Sequence, residues 1–413
     1  MSEWTQKKSG WIVTLAGTGI NLALGVLYAW SVFSKALTDE WQWTKTEASF
    51  PYTVAILIFA LVMVPAGRLQ DKLGPRLVAS LGGTFTGIGL ILSSFTQSPL
   101  GLAITFGGLA GTGFGLGYAA ATPAAVKWFP PEKKGLITGI VVSGFGLASV
   151  YIAPLTNALI ENFGIQMSFR ILGIAFFVVA VGLAQLIKNP PLACQNVPKV
   201  NAGSKPAGRD YEWQEMLKTP QFYLLWLMFA AGSLAGLMII GHLSKIAKMQ
   251  LGIQWGFALV ALLAVFNAGG RIIAGLLSDR IGRTKTMGLV FTLQAIIMGI
   301  FAQLNTVTAL AAGAAMVGFN YGACLSLFPS TTGDYYGTKN LGLNYGLVFT
   351  AWGVGGVIGP ILAGWVADST GSYTLAYQIA AGFCVVAALL SLVTKSPGAV
   401  QAGRLRHSSE EAA

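Results

Sequence analysis

Apolar residues in this chain fall into runs too long for the core of a soluble domain, each closed by a short polar or charged break. Stretches long enough to cross a bilayer lie near 11–37, 49–68, 75–96, 99–125, 135–160 and 167–188, then near 220–244, 254–278, 285–304, 307–330, 340–367 and 373–394. A hydrocarbon layer about 30 Å thick needs about 20 helical residues, so each run predicts one spanning helix. The expected fold class is an all-α polytopic membrane protein, with twelve transmembrane helices in two six-helix pseudo-symmetric bundles. The bundles are expected over 1–188 and 219–394, with a linker over 189–218 and a tail over 395–413. The linker is marked by Pro190, Pro191, Pro198 and Pro206 among scattered charges.

Composition agrees with this pattern. Of the 413 residues 54% are hydrophobic and 10% charged, against about 25% charged in soluble domains. The net charge of +11 would suit nucleic acid, but its distribution argues for topology instead. Twenty lysines and arginines fall on the side of the termini, among them Arg68, Lys72, Lys127, Lys134, Arg280 and Lys339; five, Lys35, Lys45, Arg170, Lys245 and Lys248, fall on the other. The positive-inside rule then makes both ends, the linker and the tail cytoplasmic. The first apolar run is too long for a cleavable signal peptide and reads as helix one. Cys194, Cys324 and Cys384 have neither disulfide nor metal spacing, and two histidines, His242 and His407, cannot build a metal cage. No cofactor is expected, and no nucleophile–base pair that would suggest an enzyme.

The two halves repeat one another. Ala66-Gly67-Arg68-Leu69-Gln70-Asp71-Lys72-Leu73-Gly74 recurs as Ala274-Gly275-Leu276-Leu277-Ser278-Asp279-Arg280-Ile281-Gly282 at an offset of 208. Gly135-Leu136, Gly139 and Phe145-Gly146 recur as Gly342-Leu343, Gly346 and Trp352-Gly353 at an offset of 207. Duplication of a six-helix unit is the mark of an alternating-access transporter. Asp71 and Asp279 can each cap a helix N-terminus and pair with a basic neighbour.

Arg271 is the one formal charge in the apolar stretch from Trp255 to Leu277, and the next charge, Asp279, is eight residues on. At 1.5 Å per residue Arg271 lies about 12 Å inside that end, close to mid-membrane. Arginine at that depth costs at least ~2.5 kcal/mol, so it should face a cavity or a partner. No Asp or Glu stands at comparable depth. A fixed cation without a counter-ion reads as an anion site; the structural alternative is an arginine bonding main-chain carbonyls of a neighbouring helix.

The doubled Gly-x-x-x-Asp-x-x-Gly, followed by Arg76 or Arg283, resembles the signature of the major facilitator superfamily. That resemblance implies a conformational latch formed by Gly67, Asp71, Arg76, Gly275, Asp279 and Arg283. Further stretches resemble the monocarboxylate transporters and oxalate/formate exchangers: Ser9-Gly10-Trp11, Trp128-Phe129-Pro130-Pro131-Glu132-Lys133-Lys134-Gly135-Leu136, Thr219-Pro220-Gln221-Phe222, Phe266-Asn267-Ala268-Gly269-Gly270-Arg271 and Leu327-Phe328-Pro329-Ser330. Arg271 matches that family's substrate-carboxylate arginine. Where the animal members carry a proton-binding aspartate, this chain has Asn267, which shares a helix face with Arg271 and can bond substrate but not hold a proton. Where the oxalate exchanger carries a second buried cation, a lysine, this chain has Trp352. One cation matches one carboxylate, so the resemblance implies a small monocarboxylate of the lactate or pyruvate kind, carried with a proton, with membrane lipid around it and a monomer as the working unit. A bacterial plasma (inner) membrane is the expected location.

Besides Arg271 and Asn267, candidate substrate-binding residues are Tyr118, Asn320, Tyr321, Tyr28, Trp352 and Phe349. For each, packing between helices or a place at the lipid interface is the competing reading. His242, at the end of span seven, is the candidate for proton transfer or gating, against a merely solvated histidine. Carboxylate exchange, proton-driven drug efflux and a non-transporting sensor on the same scaffold are the alternatives. Efflux usually wants a buried acid, and a sensor extra soluble domains; the sequence offers neither.

Overall fold

The computed structural model describes residues 3–191, 210–253 and 256–397. Most of the linker, nearly all of the tail, Cys194, Trp255 and His407 therefore lie outside the described residues. Spans one to four are Lys8–Glu40, Thr46–Leu73, Pro75–Ser93 and Pro99–Val126. Spans seven to twelve are Pro220–Leu251, Ala258–Ile281, Arg283–Gln303, Val307–Tyr336, Leu341–Thr370 and Thr374–Val393. Between them Pro131–Ala184 runs as one helical stretch of 54 residues. At about 80 Å it is more than twice the thickness of the hydrocarbon layer. Gly164 breaks it with φ 75° and ψ 169°, a left-handed-side conformation that glycine adopts without steric cost. The break makes two crossings, spans five and six, and twelve in all among the described residues.

Two spans are not regular α-helix. Span one passes through a 3₁₀ turn at Gly25–Ala29, and span four, after the α-helical turn Pro99–Leu102, through a π-helical stretch at Ala103–Ala110. Such departures from i→i+4 bonding bend a helix locally. The end of the linker is ordered as a short helix, Trp213–Leu217, with Met216 buried. Beside it Tyr211 donates its main-chain N–H to Tyr336, and its carbonyl accepts from Asn340 and Asn344, joining the linker to the turn between spans ten and eleven.

The halves meet along two symmetric crossings, span two against span eleven and span five against span eight. At each, glycine faces glycine: a methyl on Gly67 would collide with the Gly342 carbonyl, and one on Gly275 with the Gly135 carbonyl. One turn deeper, a methyl on Gly346 would strike the Met63 carbonyl and one on Gly139 the Arg271 carbonyl. Small residues are what allow membrane helices to pack backbone to backbone. The offsets of 208 and 207 thus relate positions that do the same packing work.

Candidate functional site

Arg271 enters the structure at the second of these crossings. It is fully buried, on the face of span eight turned to span five, not to lipid. Its Nε donates to Asn267 Oδ1 at 2.9 Å, one helical turn before it. Nη1 donates to the main-chain carbonyl of Val142, in the opposite half. Nη2 is buried with no hydrogen-bond partner, and among the described residues Arg271 makes no ion pair. One nitrogen thus does what a purely structural arginine would do. A carbonyl dipole leaves the net charge uncompensated, however, and a buried charge without a counter-charge is costly.

Around this cation stands an aromatic cage drawn from both halves. Phe59 of span two is its hub, with ring centroids 5.6 Å from Tyr118, 5.8 Å from Phe145, 5.4 Å from Phe349 and 5.3 Å from Trp352. Trp352 stacks on Phe349 at 5.0 Å and donates its indole N–H to the Tyr321 hydroxyl at 2.8 Å. Tyr28 is half-buried, edge-on to Phe145 at 5.3 Å and in electrostatic reach of Tyr321. Tyr118, Tyr321 and Tyr345 all lie in electrostatic reach of Arg271. The hydroxyls of Tyr118 and Tyr345 are buried and interact with one another without reaching full hydrogen-bond geometry, and Arg271 Nη2 is buried without a partner. Three buried polar groups with bonding capacity left over therefore lie in electrostatic reach of one another.

Of the residues singled out in the sequence, Arg271, Asn267, Tyr118, Tyr321, Tyr28, Trp352 and Phe349 come together here. Asn320 does not: its amide donates to Gln294 of span nine at 3.0 Å, inside the second half. Successive residues on a helix point about 100° apart, so Tyr321 can face the cage while Asn320 faces away. His242 is also elsewhere. Its Nε2 stands 3.0 Å from the Pro360 carbonyl, which can only accept, so Nε2 carries a proton. Nδ1 lies 3.0 Å from the Tyr373 hydroxyl. The imidazole thus ties span seven to span eleven and to the turn before span twelve.

Four further residues join these that the sequence did not mark as site candidates: Phe59, Tyr345, Val142 and Gly146, the last known only from the repeat. Phe59 was legible through the repeat, since the 208 offset carries Asn267 to Phe59 and Arg271 to Met63. Equivalent positions are polar in one half and apolar in the other, so the site is asymmetric on a symmetric frame. A methyl on Gly146 would stand 3.1 Å from Arg271 Nε and 3.3 Å from Cζ; the bare backbone there lets the guanidinium reach the Val142 carbonyl.

At the side of the bundle that carries the linker, the doubled motif joins the two halves. Asp279 accepts from the main-chain N–H groups of Gly135 and Leu136 at 2.9 and 2.8 Å, at the start of span five. Asp71 accepts from Gly342 and Leu343 at 3.2 and 2.9 Å, at the start of span eleven. Each aspartate thus caps a helix of the other half. Arg283 bridges Asp279 at 2.7 Å and Asp334 at 2.8 Å, and Lys134 reaches Asp334 at 3.1 Å. The first copy lacks this ionic reinforcement: Arg76 is exposed and makes no ion pair among the described residues. Lys127, just outside span four, has its pKa lowered by burial, with Asp71 and Asp210 opposing the shift.

Comparison with known proteins places these features in context. The model of the Major Facilitator Superfamily matches residues 11–280 and 250–409. An uncharacterized MFS-type transporter, YhjX, of Escherichia coli (strain K12) is 32% identical over 86% of this chain and 88% of its own. The oxalate:formate antiporter of Oxalobacter formigenes is 28% identical over 94% of this chain and 92% of its own. Monocarboxylate transporter 12-B of Danio rerio is 29% identical over 80% and 75%. Among solved structures, the MFS transporter FucP in the outward conformation superposes with a TM-score of 0.68 at 16% identity, over 93% of this chain and 98% of that one.

Proposed function

Because this chain belongs to the Major Facilitator Superfamily, we propose that it carries a small monocarboxylate, of the lactate or pyruvate type, across a bacterial inner membrane by alternating access. It is a membrane transporter, not an enzyme. One observation carries the cargo assignment: a guanidinium wholly buried between the two halves, with no acidic partner among the described residues and one nitrogen unsatisfied. A planar fork of this kind suits a carboxylate, which accepts two parallel bonds and cancels the charge. The hydroxyls of Tyr118 and Tyr345 supply further donors, and Phe59, Phe349 and Trp352 wall the site against larger anions.

The two bundles, 1–188 and 219–394, rock about the glycine crossings. Both termini and the linker are cytoplasmic, in line with the excess of Lys and Arg on that side. The Asp71 and Asp279 caps hold that side closed while the cargo site faces outward. Transport is coupled to a proton, which crosses in the same cycle as the bound carboxylate. Asn267 stands where a carboxylate would be needed to hold it, and His242 is bonded within the second half. Uptake of labelled lactate into proteoliposomes, with and without an inward pH gradient, tests both statements. Uptake abolished in Arg271→Gln supports the site; uptake indifferent to the gradient rejects symport.

Exchange of carboxylates is the second reading, favoured by the relative named an oxalate:formate antiporter along nearly the whole chain. Rapid counterflow with negligible net uptake would select it.

A further inference from the structure

The bond between Arg271 Nη1 and the Val142 carbonyl has a bearing on the transport cycle. A carboxylate bound in the fork of the two terminal nitrogens needs Nη1, which the Val142 carbonyl also uses. The two arrangements exclude each other. In one, the cation is satisfied by cargo; in the other, it is held in part by an acceptor built into the opposite half.

We propose that the Val142 carbonyl is a surrogate acceptor that lets the carrier close and reorient without cargo, and that Gly146 is the residue that makes this possible. The inference rests on the carboxylate reading of Arg271 and deepens it. In a helix the Val142 carbonyl is bonded to the N–H four residues on, that of Gly146, and a side chain at 146 normally shields it from a third party. Glycine removes the shield. An added methyl would stand 3.1 Å from Nε, 3.3 Å from Cζ and 3.4 Å from Asn267 Oδ1, so the guanidinium would have to give by a few tenths of an ångström and its bond to the Val142 carbonyl would be loosened. A carbonyl's second lone pair accepts the arginine without breaking the helix. When both halves close over an unoccupied site, the charge would otherwise be buried with one fewer partner, and that cost would block return. An exchanger depends on such a block; a carrier making net movements must be relieved of it. The surrogate bond spans the halves, so it forms only as they close, and so acts on the step that needs help.

The repeat supplies a control. Gly353 occupies the position equivalent to Gly146 in the other half, and a methyl there would strike the Ala60 side chain, with no charged group involved.

The test compares two fluxes in proteoliposomes loaded with labelled lactate, formate or pyruvate: efflux into acid-free buffer, and efflux into buffer containing the same unlabelled acid. The wild type is expected to support both. Gly146→Ala is expected to lower net efflux about tenfold more than it lowers exchange, the differential loss of one hydrogen bond to a charged group. Gly353→Ala is expected to lower both fluxes by the same factor. Parallel loss of both fluxes in Gly146→Ala overturns the proposal, because a packing defect explains it. Exchange without net efflux in the wild type also overturns it, yet leaves carboxylate carriage standing. A wild type that moves none of the acids by either route removes the carboxylate reading itself, and this inference with it.

Discussion

Replacing Asp279 by asparagine separates the contribution of the latch from that of its glycine packing. The carboxylate accepts two main-chain N–H groups of the other half at 2.9 and 2.8 Å and pairs with Arg283 at 2.7 Å, with its side chain only 4% exposed. Asparagine fills the same space but offers one acceptor oxygen and turns an NH₂ toward the second amide. A hydrogen bond to a charged group contributes about 1.5–3 kcal/mol, and the helix N-terminus adds about 0.3–1 kcal/mol for an anion. Arg283 keeps Asp334 at 2.8 Å, which offsets part of the lost ion pair. The net cost to the state closed on the linker side is about 2–4 kcal/mol, a shift of roughly 30- to 1000-fold in its population. Ile137, fully buried two residues beyond Gly135, reports that population. With the native cysteines replaced by alanine and Ile137→Cys introduced, the alkylation rate by a membrane-impermeant maleimide follows the open fraction. Asp279→Asn should raise that rate at least 30-fold. Asp71→Asn should raise it less, since its amide bonds are not backed by an ion pair. Rates within threefold of the parent would show that the aspartate cap does not hold this side closed.

Four further outcomes follow from the geometry. Arg271→Lys keeps the charge but loses the planar fork and the bond from Nε to Asn267, and should cut uptake about 10- to 100-fold at low substrate, read as an initial rate. Gly275→Ala sets a methyl against the Gly135 carbonyl; it should favour the linker-side-open state, and protection of Ile137→Cys from maleimide in that background would contradict this. Trp352→Lys puts a second cation in the cage at the expense of stacking on Phe349 and the bond to Tyr321. It is expected to admit oxalate in counterflow at the expense of lactate, and unchanged selectivity would count against the one-cation argument. His242→Ala removes two bonds that fasten span seven to its neighbours and should lower the melting temperature by several degrees. The dependence of uptake on the pH gradient should survive; its loss would make His242 the proton carrier after all.

The twelve crossings were legible because a bilayer imposes length and polarity on every helix that spans it, and the repeat because both copies meet the same packing demand. That Arg271 would be buried could likewise be read from the apolar stretch around it. Its bond to Val142 could not, because a helix carbonyl is ordinarily hidden by the next turn, and only the pairing of spans five and eight uncovers it. Asn320 looked as promising as Tyr321 in sequence. One residue of helical rotation sends one to Gln294 and the other to Trp352. The break between spans five and six shows the opposite case: the sequence offers Gly164 in a polar gap, and the backbone turns there.

The joints at Gly67–Gly342 and Gly135–Gly275 meet backbone to backbone, while the proposed cargo region is built mostly of side chains. Hinge and grip therefore draw on separate sets of positions. A descendant of this chain could trade Arg271, Asn267, Phe59 or Trp352 for residues suited to another solute and keep its rocking motion unaltered, whereas a single methyl group at a joint would stall every version alike.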